Sequence, residues 1–122
     1  MQALIARKRG QLGESERSLR QALDIFRGIH LGEAALAGVE LVQVILEQGK
    51  PGEARQVCES LHPLLEPLER NPIIAAAVGE LLAASFSGSL ALNLVKRIKA
   101  RIKDAAEDAA ARRQWRALAV NL

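Results

Sequence analysis

Residues 41–61 decide the fold class, and they read Leu-Val-Gln-Val-Ile-Leu-Glu-Gln-Gly-Lys-Pro-Gly-Glu-Ala-Arg-Gln-Val-Cys-Glu-Ser-Leu. Apolar side chains recur here at the spacing of one helix face, with Leu41 and Ile45 four residues apart. Gly49 then predicts a helix end, and Pro51 predicts the first turn of a new helix. The stretch therefore predicts two antiparallel helices joined by a short turn.

The glycine of this turn recurs at a constant interval. Gly10, Gly49 and Gly88 are separated by 49 − 10 = 39 and 88 − 49 = 39 residues. Self-similarity at a period of roughly 20–50 residues indicates stacked helical units, which build an extended surface rather than a catalytic pocket. We therefore expect a single domain over 1–122 that contains three divergent units: about 1–30, 33–70 and 72–105.

Glycine and proline also predict the helix ends in the first two units. Gly10 is expected to close a short helix over 2–9, and a new helix is expected to begin at about Gly13. The clearest amphipathic helix covers 33–48. In the helix after Pro51, Pro63 and Pro67 interrupt an apolar pattern, which predicts a kink or a break there.

The third unit begins at Asn71-Pro72, which is a typical helix start. Residues 73–86 are apolar nearly all round, which indicates burial on more than one side. The stretch from Asn71 to Val95 has Glu80 as its one charged residue and is long enough to span a bilayer. Because Glu80 lies near its centre, we expect a buried helix and a turn instead of a membrane span. A long terminal helix over about 89–118 follows.

Composition supports an all-α fold. The chain has 122 residues, of which 49% are hydrophobic and 2% aromatic. Many of the apolar residues are Ala and Leu, which are the strongest helix formers. The single cysteine, Cys58, excludes an internal disulfide framework, and the start lacks the pattern of a signal peptide. We therefore expect a cytoplasmic protein made of antiparallel helix-hairpin repeats and a long C-terminal helix.

Charge is unevenly distributed along the chain. Residues 1–30 carry a net charge of +3, residues 31–92 carry −5 and residues 93–122 carry +5. This pattern is expected either to steer a charged partner or to pair one copy of the chain with another.

The stretch at 41–61 resembles the centre of a tetratricopeptide repeat. Leu41, Gly49, Ala54 and Leu61 match the family's packing positions in order, whereas Cys58 stands at a position that is usually aromatic. The resemblance extends over roughly 1–105, and the 39-residue period exceeds the usual 34. The sequence of this stretch is also similar to the repeat tails of larger bacterial regulatory proteins.

This resemblance implies a non-catalytic scaffold that binds a protein or peptide on the inner face of its first helices. By position, that face comprises Leu36, Val39, Gln43, Leu46 and Glu47 in the second unit, and Ala75, Val78, Leu82, Ser85 and Phe86 in the third. We hypothesise an apolar groove for an amphipathic helix or an extended peptide. The alternative is that the same residues contact a neighbouring helix of this chain.

The terminal helix offers a different function. It is strongly basic, and the residues that would contact phosphates are Lys96, Arg97, Lys99, Arg101 and Lys103. They are expected, under this alternative, to bind nucleic acid or another anionic surface. Against it, Asp104, Glu107 and Asp108 interrupt the basic run, and no aromatic platform for bases is present. A solvated capping helix is therefore the favoured interpretation, followed by a helix that contacts a protein partner.

Catalytic and metal sites are not expected. Cys58 and His62 share a helix face and could form a nucleophilic pair or two zinc ligands, but zinc needs further ligands. Cys58 occupies a packing position, so a core cysteine is the favoured interpretation. The carboxylate pairs Glu14/Glu16 and Glu66/Glu69 are expected on solvated faces. We therefore expect no enzyme, no cofactor and no metal.

The packing pattern also predicts the core and the ends of the stack. The residues expected to be buried between helices are Leu41, Ile45, Ala54, Leu61, Val78 and Leu81. Two apolar surfaces at the ends of the stack look uncapped. One comprises residues 2–6 with the flank of Leu19, Leu23 and Phe26, and the other comprises Trp115, Leu118, Val120 and Leu122. A second copy of the chain or an additional N-terminal domain is expected to cover them, with a self-sealed monomer as the alternative.

Overall fold

A computed structural model describes the backbone of residues 2–27 and 30–120, and the side chains of 11–27, 30–68 and 71–107. Within these ranges every regular element is a helix and there is no strand, which confirms the all-α class. The helices are α1 (Gln2–Phe26), α2 (Leu31–Glu47), α3 (Pro51–Ser60), α4 (Pro72–Ser87) and α5 (Leu92–Val120). Two short 3₁₀ turns, His62–Leu64 and Pro67–Arg70, connect α3 to α4.

Helix α1 is continuous, so the helix end expected at Gly10 is wrong, and the first unit is one helix instead of a pair. An interior glycine costs only about 1 kcal/mol relative to alanine, which packing of the helix can offset. Helix α1 packs along α2, and Leu23 is only 4% exposed. Leu19 and Phe26 also pack against the core. The flank that looked uncapped is therefore covered by the chain itself.

Gly49 and Gly88 end α2 and α4 in the same way. Both have a φ of 76°, a left-handed conformation that only glycine adopts without strain. The N–H of Lys50 donates to the carbonyl of Ile45 at 3.2 Å, and that of Ser89 donates to Ala84 at 2.9 Å. The 39-residue interval thus marks a shared structural role at these two positions, which Gly10 inside α1 does not share.

The proline-rich segment breaks as the sequence predicts. Helix α3 ends at Ser60, and each 3₁₀ turn has a proline, Pro63 or Pro67, in its first two positions. Helix α4 then begins at Pro72, and the Asn71 Oδ1 accepts a hydrogen bond from the Ile74 N–H at 3.4 Å. The expected start signal is confirmed.

Helix α2 lies at the centre of the packing. It contacts α1, α3 and α5 extensively and α4 less extensively, while α5 also packs along α4. All six residues expected in the core are at most 1% exposed, which confirms that prediction: Leu41, Ile45, Ala54, Leu61, Val78 and Leu81. From α5, Val95, Ile98 and Ile102 complete this core. Trp115 and the residues after it lie outside the described side chains.

Helix α4 is buried over only part of its circumference. Ile74, Ala77, Val78, Leu81, Ala84 and Ser85 are buried, whereas the other side of the helix faces solvent. In the described part of the chain, no helix combines the length and the apolar character that crossing a membrane requires. The apolar character of α4 therefore leaves a solvent-exposed apolar surface, described next.

Candidate protein-interaction site

An open groove of about 530 Å³ runs between α3 and α4. Arg55, Glu59 and His62 form its polar edge, and Leu65 also lines it. The α4 side contributes Gly79, Leu82, Ala83, Ser85 and Phe86. A Cβ atom placed on Gly79 would meet nothing within 4 Å, so the groove is open at that point. The groove has the mixed character of a protein-binding site, with an apolar α4 side and a polar edge.

The exposed side of α4 continues this groove. We call it the α4 outer face and define it by Ile73, Ala76, Gly79, Glu80, Ala83 and Phe86. At 3.6 residues per turn these positions spread over roughly 140° of the helix circumference, with Ile73 and Phe86 at the two margins. Ile73 is 58% exposed and Phe86 is 92% exposed. Single exposed apolar residues are common, whereas several that adjoin a groove form a candidate interaction surface.

Glu80 is the one charged residue in the sequence of α4, and it is paired within the chain. The Arg101 Nη1 of α5 donates to the Glu80 Oε2 at 2.7 Å, and both side chains are 46% exposed. Solvent screens such a pair, so its contribution to stability is small. The ion pair matters for the electrostatics of the surface, because it leaves the α4 outer face without an unbalanced carboxylate.

The residues that the repeat resemblance assigned to partner binding lie in different environments. Val39 and Val78 are completely buried, so their assignment to a binding face is corrected: they belong to the core. Helix α5 packs on α2, which explains why the expected inner face of α2 is not an open groove. Leu36, Leu46, Ala75 and Leu82 are half-buried and pack at the edge of the core. Ser85 is buried, and Glu47 is exposed.

Leu82, Ser85 and Phe86 are the members of that predicted set that line the α3–α4 groove. Gln43 lies elsewhere, in a polar cleft of about 460 Å³ between α1, α2 and α5. Its Nε2 donates to the Glu47 Oε1 at 2.8 Å, whereas its Oε1 is buried without a partner among the described residues. Glu40 and Lys99 also line this cleft, so its charges are mixed.

The five basic residues considered for phosphate binding do not form one stripe. Lys96, Lys99 and Lys103 share one flank of α5 by helical spacing, and Arg97 and Arg101 share the other. The buried positions Val95, Ile98 and Ile102 separate the two flanks. Lys99 lies in the polar cleft with Glu40, and Arg101 is paired with Glu80. A single phosphate backbone would therefore meet only part of this charge.

Cys58 is a core residue, as expected. It is fully buried, and burial raises the pKa of its thiol to about 11, partly opposed by a hydrogen bond with the Ser85 side chain. A neutral, buried thiol is a poor nucleophile and a poor metal ligand. His62 is exposed at the edge of the groove. Among the described residues, no three His, Cys, Asp or Glu side chains are close enough to hold a metal ion.

The carboxylate pairs are mostly on the surface. Glu14 and Glu66 are exposed, and Glu69 lies outside the described side chains. Glu16 is half-buried instead of fully solvated, because Gln48 Nε2 donates to it at 3.2 Å and Arg20 lies 3.7 Å away. These contacts are ordinary surface interactions between α1 and its surroundings.

Sequence reasoning missed the α3 edge of the groove and the outward direction of Ile73 and Ala76. A signal was present, because α4 has a single charge and no polar side to turn towards water. That pattern shows that part of the apolar surface of α4 stays exposed unless something buries it. It does not show which side of α4 the other helices leave open. Comparison with protein families, curated proteins and solved structures finds no match for this chain.

Proposed function

We propose that this chain is a non-catalytic protein-interaction module that binds an α-helical or extended segment of a partner in the α3–α4 groove. The observation that carries the proposal is Phe86, which is 92% exposed beside the half-buried Leu82. Aromatic side chains, phenylalanine among them, are enriched at protein–protein interfaces. Burying Phe86 against a partner would remove from water the most exposed large apolar side chain among the described residues.

The chemistry of the groove indicates what kind of segment fits. An amphipathic helix would place its apolar side on Leu82 and Phe86, and Gly79 leaves room for close approach of its backbone. Its polar side would remain near Arg55 and Glu59, which are both exposed. Because these two residues carry opposite charges, the edge favours neither a strongly acidic nor a strongly basic segment.

The proposal includes a divergent tetratricopeptide-like arrangement. It is supported by the hairpins α2–α3 and α4–α5, whose first helices end at Gly49 and Gly88 with the same φ and a spacing of 39 residues. In this view the chain is a cytoplasmic scaffold or the interaction tail of a larger regulatory protein. A catalytic role has less support, since the Cys58 thiol is buried and protonated at neutral pH.

A selection experiment tests the proposal. A displayed library of random 16-residue peptides would be selected on the full chain and then screened against Phe86→Glu and Ile25→Glu. Ile25 is 63% exposed on α1 and is the matched control. We expect enriched peptides with apolar residues at helical spacing that lose binding at least tenfold to Phe86→Glu but not to Ile25→Glu. Enrichment that never depends on Phe86 would overturn the groove as the binding site.

A further inference from the structure

The polar cleft between α1, α2 and α5 is a separate site from the α3–α4 groove, with which it shares no lining residue. Its polar lining comes from all three helices: Ser15 and Ser18 of α1, Glu40 and Gln43 of α2, and Lys99 of α5. Its volume of about 460 Å³ is within the range of small-molecule sites. Because three helices build it, the cleft depends on the tertiary fold and not on the surface of one helix.

Gln43 brings to this cleft an acceptor that lacks a donor. Its Nε2 donates to the Glu47 Oε1 at 2.8 Å, which fixes the orientation of the amide, because the reverse orientation would bring two oxygens together. Its Oε1 is buried without a hydrogen-bond partner among the described residues, whereas buried acceptors nearly always have one. Since Oε1 is covered in the free chain, a ligand donor reaches it through a side-chain rotation at the cleft, a change that is common on binding.

Glu40 and Lys99 bring opposite charges to the same cleft from different helices. Both are half-buried, yet neither takes part in the ion pairs formed among the described side chains. Partial burial makes an unpaired charge more costly than it is on an open surface. A molecule that presents a cation to Glu40 and an anion to Lys99 would satisfy both groups.

We propose that this cleft binds a small zwitterion, a molecule that carries an ammonium and a carboxylate group. The ammonium is recognised by the Glu40 carboxylate and the Gln43 Oε1, which are three residues apart and therefore share one face of α2. The carboxylate is recognised by the Lys99 ammonium, and the serine hydroxyls of α1 offer further donors. Free amino acids and short peptides share this chemistry.

The same groups disfavour ligands with one sign of charge. A phosphate or another simple anion would be repelled by Glu40 and would leave the Gln43 Oε1 without a donor. A simple cation would be repelled by Lys99. Because the cleft is open and wet, we expect a dissociation constant for the zwitterion on the order of 0.1–1 mM.

Isothermal titration calorimetry on the full chain tests the proposal with two sets of probes. One set is the common free amino acids, tested one at a time, and the other is tripeptides of the form Ala-X-Ala with both ends free. Binding of a free amino acid would support a ligand of that size, and binding of tripeptides alone would support a short peptide. The absence of binding for every probe at about 10 mM would overturn the proposal.

Blocking either charge of the ligand tests the recognition of a zwitterion. N-acetylation removes the ammonium, and C-terminal amidation removes the carboxylate. Each change should weaken binding about tenfold, because a charge-assisted hydrogen bond is lost. Equal binding of the blocked and the free forms would overturn the proposal.

Variants of the charged residues test the location of the site. Lys99→Gln and Glu40→Gln should each weaken binding about tenfold. The first should also remove the preference for a free carboxylate, and the second the preference for a free ammonium. Matched controls are Lys103→Gln on α5 and Glu33→Gln on α2, which are exposed and do not line the cleft. Equal losses in the controls would reveal a general charge effect and overturn the site.

Gln43→Leu distinguishes ligand binding from a structural role. Leucine has no acceptor to leave unsatisfied, so the variant should unfold thermally at nearly the same temperature as the wild type. Its affinity for the zwitterion should nevertheless fall about tenfold. Unchanged affinity with a clear loss of thermal stability would overturn the role of Gln43 in binding. Phe86→Glu should bind the zwitterion as the wild type does, because Phe86 lines the other site.

Discussion

Gly38 of α2 lies directly against Leu61 at the end of α3. A Cβ atom on residue 38 would stand 2.5 Å from one terminal methyl carbon of Leu61 and 3.0 Å from the other. Leu61 is itself completely buried, so its side chain cannot move aside into solvent. The close approach of α2 and α3 therefore depends on the absence of a side chain at Gly38.

Gly38→Ala should destabilise the fold for this reason. Alanine gains about 1 kcal/mol from helix propensity, but overpacking of a core typically costs about 1–3 kcal/mol. We expect a net loss of about 1 kcal/mol in urea unfolding. The matched control is Gly13→Ala in α1, where a new Cβ meets nothing within 4 Å, so a gain of about 0.5–1 kcal/mol is expected. Equal gains at both positions would contradict the tight α2–α3 contact.

The glycines also show how far the sequence predicts the fold. The helix ends at Gly49 and Gly88 follow from local signals, because a turn residue with a positive φ selects glycine. Gly10 stands in the same register, yet α1 passes through it. Local propensity at one glycine is worth only about 1 kcal/mol, which helix formation by the flanking residues can offset.

The site was less predictable than the core. The core positions Leu41 and Ile45 follow from helical periodicity alone, because a regular apolar stripe has to be buried somewhere. Val39 and Phe86 were assigned to the same binding face by position in a repeat, but one is buried and the other exposed. Val39 lies on α2, which packs against the other helices, whereas Phe86 lies on the side of α4 that they leave open. That difference is set by long-range packing, which periodicity does not encode.

Leu41→Ala should be severely destabilising. Leu41 is 1% exposed in α2, the helix that contacts all the other α-helices described here. Truncating a buried leucine typically costs about 2–5 kcal/mol, because apolar contacts are lost and a cavity remains. We expect a loss in this range by thermal or urea unfolding. Ile25→Ala removes a comparable amount of side chain from an exposed position and should change stability by no more than about 0.5 kcal/mol. Similar losses for both variants would refute the helix register.

Retention on a heparin column distinguishes the phosphate-binding alternative. Because the basic residues of α5 lie on two flanks, we expect the chain to elute below about 0.15 M salt. Glu80→Gln releases Arg101 from its ion pair and should move elution to slightly higher salt. Retention well above this concentration, and its loss in Lys96→Gln/Lys99→Gln/Lys103→Gln, would instead favour a nucleic-acid or anionic surface as the partner.

Stability should fall at alkaline pH because of Cys58. Burial raises the pKa of its thiol from 9.0 to about 11 in the folded chain. Below pH 9 the folded and unfolded states both hold the proton, so the pH dependence from this group is small. Between pH 9 and 11 the unfolded state releases the proton while the folded state retains it, so the free energy of unfolding decreases as the pH rises.

From pH 8 to pH 10 this loss of stability should be about 1 kcal/mol. Urea unfolding of the wild type and of Cys58→Ala at both pH values measures it, since the two proteins differ only at this thiol. The wild type should lose more stability than the variant, and equal losses would show that the thiol ionises as readily in the folded chain as in the unfolded one.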